Sequence, residues 1–121
     1  MKTRLNPLFF VATALSAFTA PIQAGILYWD GTTSTANADG GIGTWDTLVT
    51  NLNWDSLAAA GVATAWPSSG TDNDAVFGGT AGAVTIAAGG VTANDLTFST
   101  TGYTIGGAGL TLNGTLPVIS V

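Results

Sequence analysis

Between Ala83 and Leu112 the chain repeats one short pattern: an apolar residue, a threonine, and a second apolar residue. Val84-Thr85-Ile86, Leu96-Thr97-Phe98, Tyr103-Thr104-Ile105 and Leu110-Thr111-Leu112 carry it, and Val91-Thr92-Ala93 is a weaker copy. An extended chain sends successive side chains to opposite faces, so each triplet predicts a short strand with one buried face. Ala88-Gly89-Gly90, Thr101-Gly102 and Gly106-Gly107-Ala108-Gly109 lie between the triplets and read as turns. The triplets start five to seven residues apart, closer than the roughly 8–12 residues expected between strands of a sandwich. Very short strands joined by sharp bends suit a parallel β-helix, in which three strands fill a coil of about 20 residues and coils stack on one another. Val84, Ile86, Leu96, Phe98, Tyr103, Ile105, Leu110 and Leu112 then face inward, with threonine hydroxyls facing water. The predicted fold is all-β, the start of a right-handed parallel β-helix; a small antiparallel β-sandwich or meander is the alternative. A coil cannot cover its own end, so a short uncapped stack is expected to be unstable or to self-associate through exposed β edges.

Residues 25–82 follow a different rule, set by spaced aromatics at Trp29-Asp30-Gly31, Trp45-Asp46, Asn53-Trp54-Asp55 and Trp66-Pro67. Asp-Gly after Tyr28-Trp29 reads as a turn at a strand end, and Gly40-Gly41 as another. Ser56-Leu57-Ala58-Ala59-Ala60-Gly61 predicts one short helical turn closed by glycine. The division expected is a leader at 1–24, an aromatic-rich cap at 25–82, and β-helix-like coils at 83–121 that break off inside a strand at Ile119-Ser120-Val121.

The leader is the most specific element of the N-terminus. Lys2 and Arg4 precede the apolar run Leu8 to Phe18, the order of a secretory signal. The run ends before Pro21 and is shorter than the roughly 20 apolar residues of a membrane-spanning helix, so no transmembrane anchor is expected here. Ile22-Gln23-Ala24 places cleavage after Ala24 and predicts export across the inner membrane, to the extracellular space or the cell surface.

Removing the leader changes the charge balance. The 97 residues after Ala24 contain no Lys, Arg, His, Cys or Glu, and seven Asp. Nucleic-acid binding needs cations in number to neutralise phosphates and is excluded; an anionic membrane surface is disfavoured for the same reason. Without cysteine, stability rests on burial and backbone hydrogen bonds. Lyase chemistry lacks a cation to neutralise a substrate acid, and nucleophilic catalysis lacks the His or Cys that would complete its arrangement. Carboxylate pairs for hydrolysis would come from Asp72 with Asp74, or Asp30 with Asp46 or Asp55. A metal would have to be a hard cation, and Asp72-Asn73-Asp74 is the densest oxygen cluster, a candidate Ca²⁺ site lacking the ligand run of an EF-hand. No other cofactor is expected. Trp29, Trp45, Trp54 and Trp66, flanked by Asp and Asn, are candidate stacking platforms for carbohydrate; the competing expectation is that they form the core of the cap.

The run Tyr28-Trp29-Asp30-Gly31, Gly43-Thr44-Trp45, Asn53-Trp54, Trp66 and Asp74-Ala75-Val76-Phe77-Gly78, continuing into the threonine-centred triplets, resembles the start of proteins carrying autotransporter-associated β-strand repeats, over nearly all of residues 25 to 114. The resemblance implies a secreted or surface-displayed β-helical passenger, structural or adhesive, and brings no catalytic residues with it. Such proteins usually run on through many repeats to an outer-membrane barrel or a sorting tail, and this sequence reaches neither. The function expected is therefore non-enzymatic: an exported structural or adhesive repeat protein, with a secreted carbohydrate-binding module as the alternative. Surface polysaccharide and further copies of the chain are the expected partners.

Overall fold

The computed structural model describes residues 25–68 and 73–121. The predicted leader and Asp72 lie outside the described residues, which form eleven short strands and no helix. The first four are β1 (Ile26–Trp29), β2 (Gly43–Trp45), β3 (Trp54–Asp55) and β4 (Ala63–Thr64). They are followed by β5 (Asp74–Phe77), β6 (Ala83–Ile86), β7 (Val91–Ala93), β8 (Leu96–Phe98), β9 (Thr104–Gly107), β10 (Leu110–Leu112) and β11 (Ile119–Ser120). Each threonine-centred triplet supplies a strand. Tyr103 is the exception, lying just ahead of β9.

From β5 onward every pairing is parallel and skips two strands. β5 pairs with β8, setting Ala75 opposite Leu96 and Phe77 opposite Phe98. β6 pairs with β9, Val84 opposite Ile105; β7 pairs with β10, Val91 opposite Leu110; and β11 returns to β8, Ile119 opposite Leu96. Paired positions in the first three ladders are 21, 21 and 19 residues apart, so the chain revisits each ladder once in about every 20 residues. Parallel pairing also extends upstream of residue 83, since β1 lies on β5 and β2 on β6. Antiparallel pairing joins β1 to β3 and β3 to β4, and an isolated antiparallel bridge links Asn37 to Ala59. The three sheets run β11-β8-β5-β1-β3-β4, β2-β6-β9 and β7-β10.

Alternation decides what is inside. Val84, Ile86, Val91, Ala93 and Leu96 are buried, and Phe98, Tyr103, Ile105, Leu110 and Leu112 pack against them partly covered. Burial falls off along the chain: the inward residues from β6 to the start of β8 are enclosed, whereas those from Phe98 to Leu112 are only partly covered. Phe77 and Phe98 occupy the same rung and stack with ring centroids 5.0 Å apart and planes 13° from parallel.

Residues 56–61 do not form the expected helical turn. Ser56 and Val62 close a loop across their backbones at 3.2 Å, Val62 N–H also donates to Ser56 Oγ, and Gly61 N–H donates to Ala36 C=O at 2.8 Å. Ala38 N–H donates to Ala58 C=O. A single isolated turn fixes several dihedrals for one hydrogen bond, so pairing with residues 36–38 outcompetes it.

Gly40 joins the cap to the ladders. It has φ +77°, and a Cβ there would overlap the carbonyl oxygens of Gly78 and Thr80 and the Tyr103 hydroxyl. On either side, Thr80 N–H donates to Asp39 C=O and Gly41 N–H to Thr80 C=O. Gly41 has φ +96° and open space around it. Gly40→Ala is expected to lower stability well beyond Gly41→Ala, whose cost is the left-handed backbone term of about 1–2 kcal/mol; urea midpoints at unchanged slope measure both. Equal losses would show that the close approach at Gly40 carries no weight.

Candidate functional site

The four tryptophans meet at one end of the ladders and are 0%, 0%, 1% and 2% exposed at positions 29, 45, 54 and 66. They cover one another. Trp29 meets Trp54 at 5.1 Å and 73°, Trp45 meets Trp66 at 4.9 Å and 78°, and Trp54 lies 4.5 Å from Trp66. Edge-to-face contacts of this kind suit the ring quadrupole and leave no face for a ligand. Trp29 Nε1 donates to Gly41 C=O at 2.9 Å and Trp66 Nε1 to Thr92 C=O at 3.0 Å, while Trp45 and Trp54 Nε1 have no acceptor. The carbohydrate-stacking expectation is corrected here: a charge-poor domain without disulfides uses these rings as its core, and Trp29, Trp45, Trp54 and Trp66 present no surface to a sugar.

The carboxylates divide by their partners. Asp30 is buried and organises the loop after β1, accepting from Thr33 Oγ1 at 2.7 Å, Thr35 N–H at 2.8 Å and Asp39 N–H at 3.1 Å. Asp46 accepts from Leu48 N–H and the Asn51 side chain, folding its own loop. Asp74 Oδ1 accepts from Asn94 Nδ2 at 2.6 Å, a cross-rung link, and Asp95 accepts from Val118 N–H at 2.7 Å. Among the described residues no group of three acids converges as a metal site.

Asp55 differs from all of these. It is fully buried on β3 and neither oxygen has a hydrogen-bond partner. Burial, then the negative charges of Asp30 and Asp39, push its carboxyl above the ordinary carboxylate range. Of the hydrolytic pairs drawn from the sequence, Asp30 and Asp55 do share an environment. Both are enclosed, however, so no substrate reaches them. Sequence reading missed this isolation, because nothing local in Asn53-Trp54-Asp55 indicates that β1 and β4 will flank it on both sides.

The accessible features lie elsewhere. A groove of about 550 Å³ runs between Thr47, Pro67 and Ser68 of the cap and Gly89–Thr92 and Gly109 of the ladders. The last turn leaves an apolar recess of about 230 Å³ against Phe98, Tyr103 and Val121. Leu116, Val118, Ile119 and Val121 are exposed beside it, and β9, β10 and β11 each end their sheet. Among the described residues no helix is long and apolar enough to cross a membrane.

No family model matches the chain, and no solved structure matches it. The chain is 40% identical over 95 residues to the adhesin BmaC autotransporter of Brucella suis biovar 1 (strain 1330), an alignment that covers 77% of this chain and 3% of that protein. The chain thus spans a small fraction of its relative's length. The resemblance to autotransporter-associated proteins drawn from residues 25 to 114 is borne out by this match.

Proposed function

We propose, taking kinship with an autotransporter adhesin as the premise, that this chain is an exported, cell-surface β-repeat protein with a structural and adhesive role, resembling the amino-terminal part of an autotransporter-type passenger. The observation that carries the reading is the 40% identity maintained over 77% of the chain. The parallel ladders support the architectural half: strands that revisit the same ladder about every 20 residues fit the first coils of a parallel β-helix. The strong preference for right-handed crossovers gives it a right hand. The four tryptophans act as the plug that closes its first end. The role is non-catalytic, because each described carboxylate is either engaged in a structural hydrogen bond or sealed from solvent, and no His or Cys follows the leader. Adhesion would be carried by the threonine-rich outer faces and by the free edges of β9, β10 and β11, with surface polysaccharide or further β-strands as partners.

Expression of the full chain with a C-terminal epitope in a Gram-negative host tests export. The epitope is expected outside the cytoplasm on a chain whose mass starts at Gly25; an intact precursor confined to the cytoplasm would overturn the proposal. Beads coated with the processed protein are expected to adhere to epithelial cells above albumin-coated beads, and equal retention of the two would remove the adhesive half.

A further inference from the structure

At the predicted cleavage point the structure holds a preformed seat for the nitrogen that cleavage would expose. Gly25 N lies 3.0 Å from Oδ1 of Asn73, a side chain only 8% exposed. Gly25 C=O accepts from Asp74 N–H at 2.8 Å, and Ile26 is in register with Asp74 as β1 pairs with β5. Both backbone polar groups of Gly25 are therefore bound at residues 73 and 74. A Cβ on residue 25 would come within 2.8 Å of Asn73 Oδ1, so glycine is the residue that admits this approach. The seat is tied onward to the next turn, since Asn94 N–H donates to Asn73 C=O at 2.8 Å and Asn94 Nδ2 to Asp74 Oδ1.

Charge gives the arrangement its consequence. After Arg4 the chain has no basic side chain and seven aspartates. Hydrolysis of the Ala24–Gly25 amide adds water across the bond: Ala24 keeps the carboxylate and leaves with the leader, and Gly25 N becomes an α-ammonium at neutral pH. That ammonium is the one cation of the processed chain. A charge-assisted hydrogen bond is roughly twice as strong as a neutral one, and among the described residues Asp74, whose N–H binds Gly25 C=O, sets a carboxylate on the paired strand. Asp95, on the adjoining turn, is engaged with Val118 N–H.

We propose that the α-ammonium created by leader removal docks on Asn73 and locks β1 onto β5, so that processing strengthens the fold only once the chain has been exported. The inference rests on the export reading above. It makes the new N-terminus a structural element of the cap.

The composition supplies a direct test, because the processed chain contains no lysine and its α-amine is the only amine. Trace labelling with an amine-reactive ester at neutral pH therefore reports this group alone. In the folded processed protein, labelling is expected to be slower than in urea by on the order of tenfold, the factor that one pKa unit of amine stabilisation produces. Asn73→Ala, with folding verified by circular dichroism, is expected to restore most of the unfolded rate. Asn73→Asp, which keeps the acceptor and adds a charge, should slow labelling further. A chain shown by mass to begin at Gly25 yet labelled equally fast when folded and unfolded would overturn the lock while leaving export intact. A chain still carrying Met1 would sink both.

Discussion

Trp54→Ala will unfold the cap, lowering stability by about 3–5 kcal/mol, the range for removing a large buried aromatic. Trp54 is the hub of the ring cluster: Trp29, Trp45, Trp66 and Phe77 all lie within 5.5 Å of it, centroid to centroid. Its loss opens a cavity bordered by Trp29, Trp45 and Phe77, each held on its own strand, and by Trp66, held by its Nε1 bond to Thr92 C=O, so the walls resist collapse. Rung-to-rung packing extends the damage, because Phe77 stacks on Phe98 and so transmits disorder from the cap into the ladders. Leu57→Ala, at a side chain 56% exposed in a neighbouring loop, is expected to change stability by less than about 0.5 kcal/mol. Urea melts followed by circular dichroism, on samples dilute enough to suppress association through the free edges, compare the two. A loss below about 1 kcal/mol for Trp54→Ala would mean that the cluster is not the core of the cap.

The same cluster shows which parts of the protein its sequence makes legible. Strand positions in the second half follow from local alternation, and alternation survives folding because each triplet keeps one face inward; Val84, Ile86, Val91, Ala93 and Leu96 are buried as that pattern requires. The aromatic core follows from composition, since a chain with few charges and no disulfide has little else with which to bury area. Partner choice is the part that is not local. Nothing in Asn53-Trp54-Asp55 announces an antiparallel pairing with β1, and nothing in Ser56–Gly61 announces that its backbone donors and acceptors will be used by Ala36, Ala38 and Val62 rather than by its own turn. The candidate sites behave likewise: residue type identified Asp30 and Asp55 as chemically interesting, but only long-range enclosure makes one a satisfied loop anchor and the other an isolated acid. Asn73 entered as part of an oxygen cluster and proves to be the acceptor for Gly25, a contact across 48 residues of sequence.

Asp55→Asn will stabilise the protein at neutral pH, in contrast to most substitutions of buried polar residues. The usual cost arises when a partner is left unsatisfied, and Asp55 has no partner to leave. What it does have is confinement with Asp30 and Asp39, both acidic. β1 adds Tyr28, its register partner; β4 contributes only Ala63 and Thr64; and no basic side chain follows the leader. Its carboxyl is therefore raised above 3.8 in the folded protein, so the native state holds this proton more tightly than the unfolded chain does. The group's contribution to stability is then greatest below the unfolded value, and it declines as pH rises through the folded one. Asparagine is isosteric and uncharged, and it removes that decline. Wild type and variant are expected to converge near pH 3 and to separate progressively toward pH 7, the variant melting higher. Parallel stability–pH curves, or a less stable variant at pH 7, would show that Asp55 finds compensation in the folded state that its buried, unpartnered oxygens do not reveal.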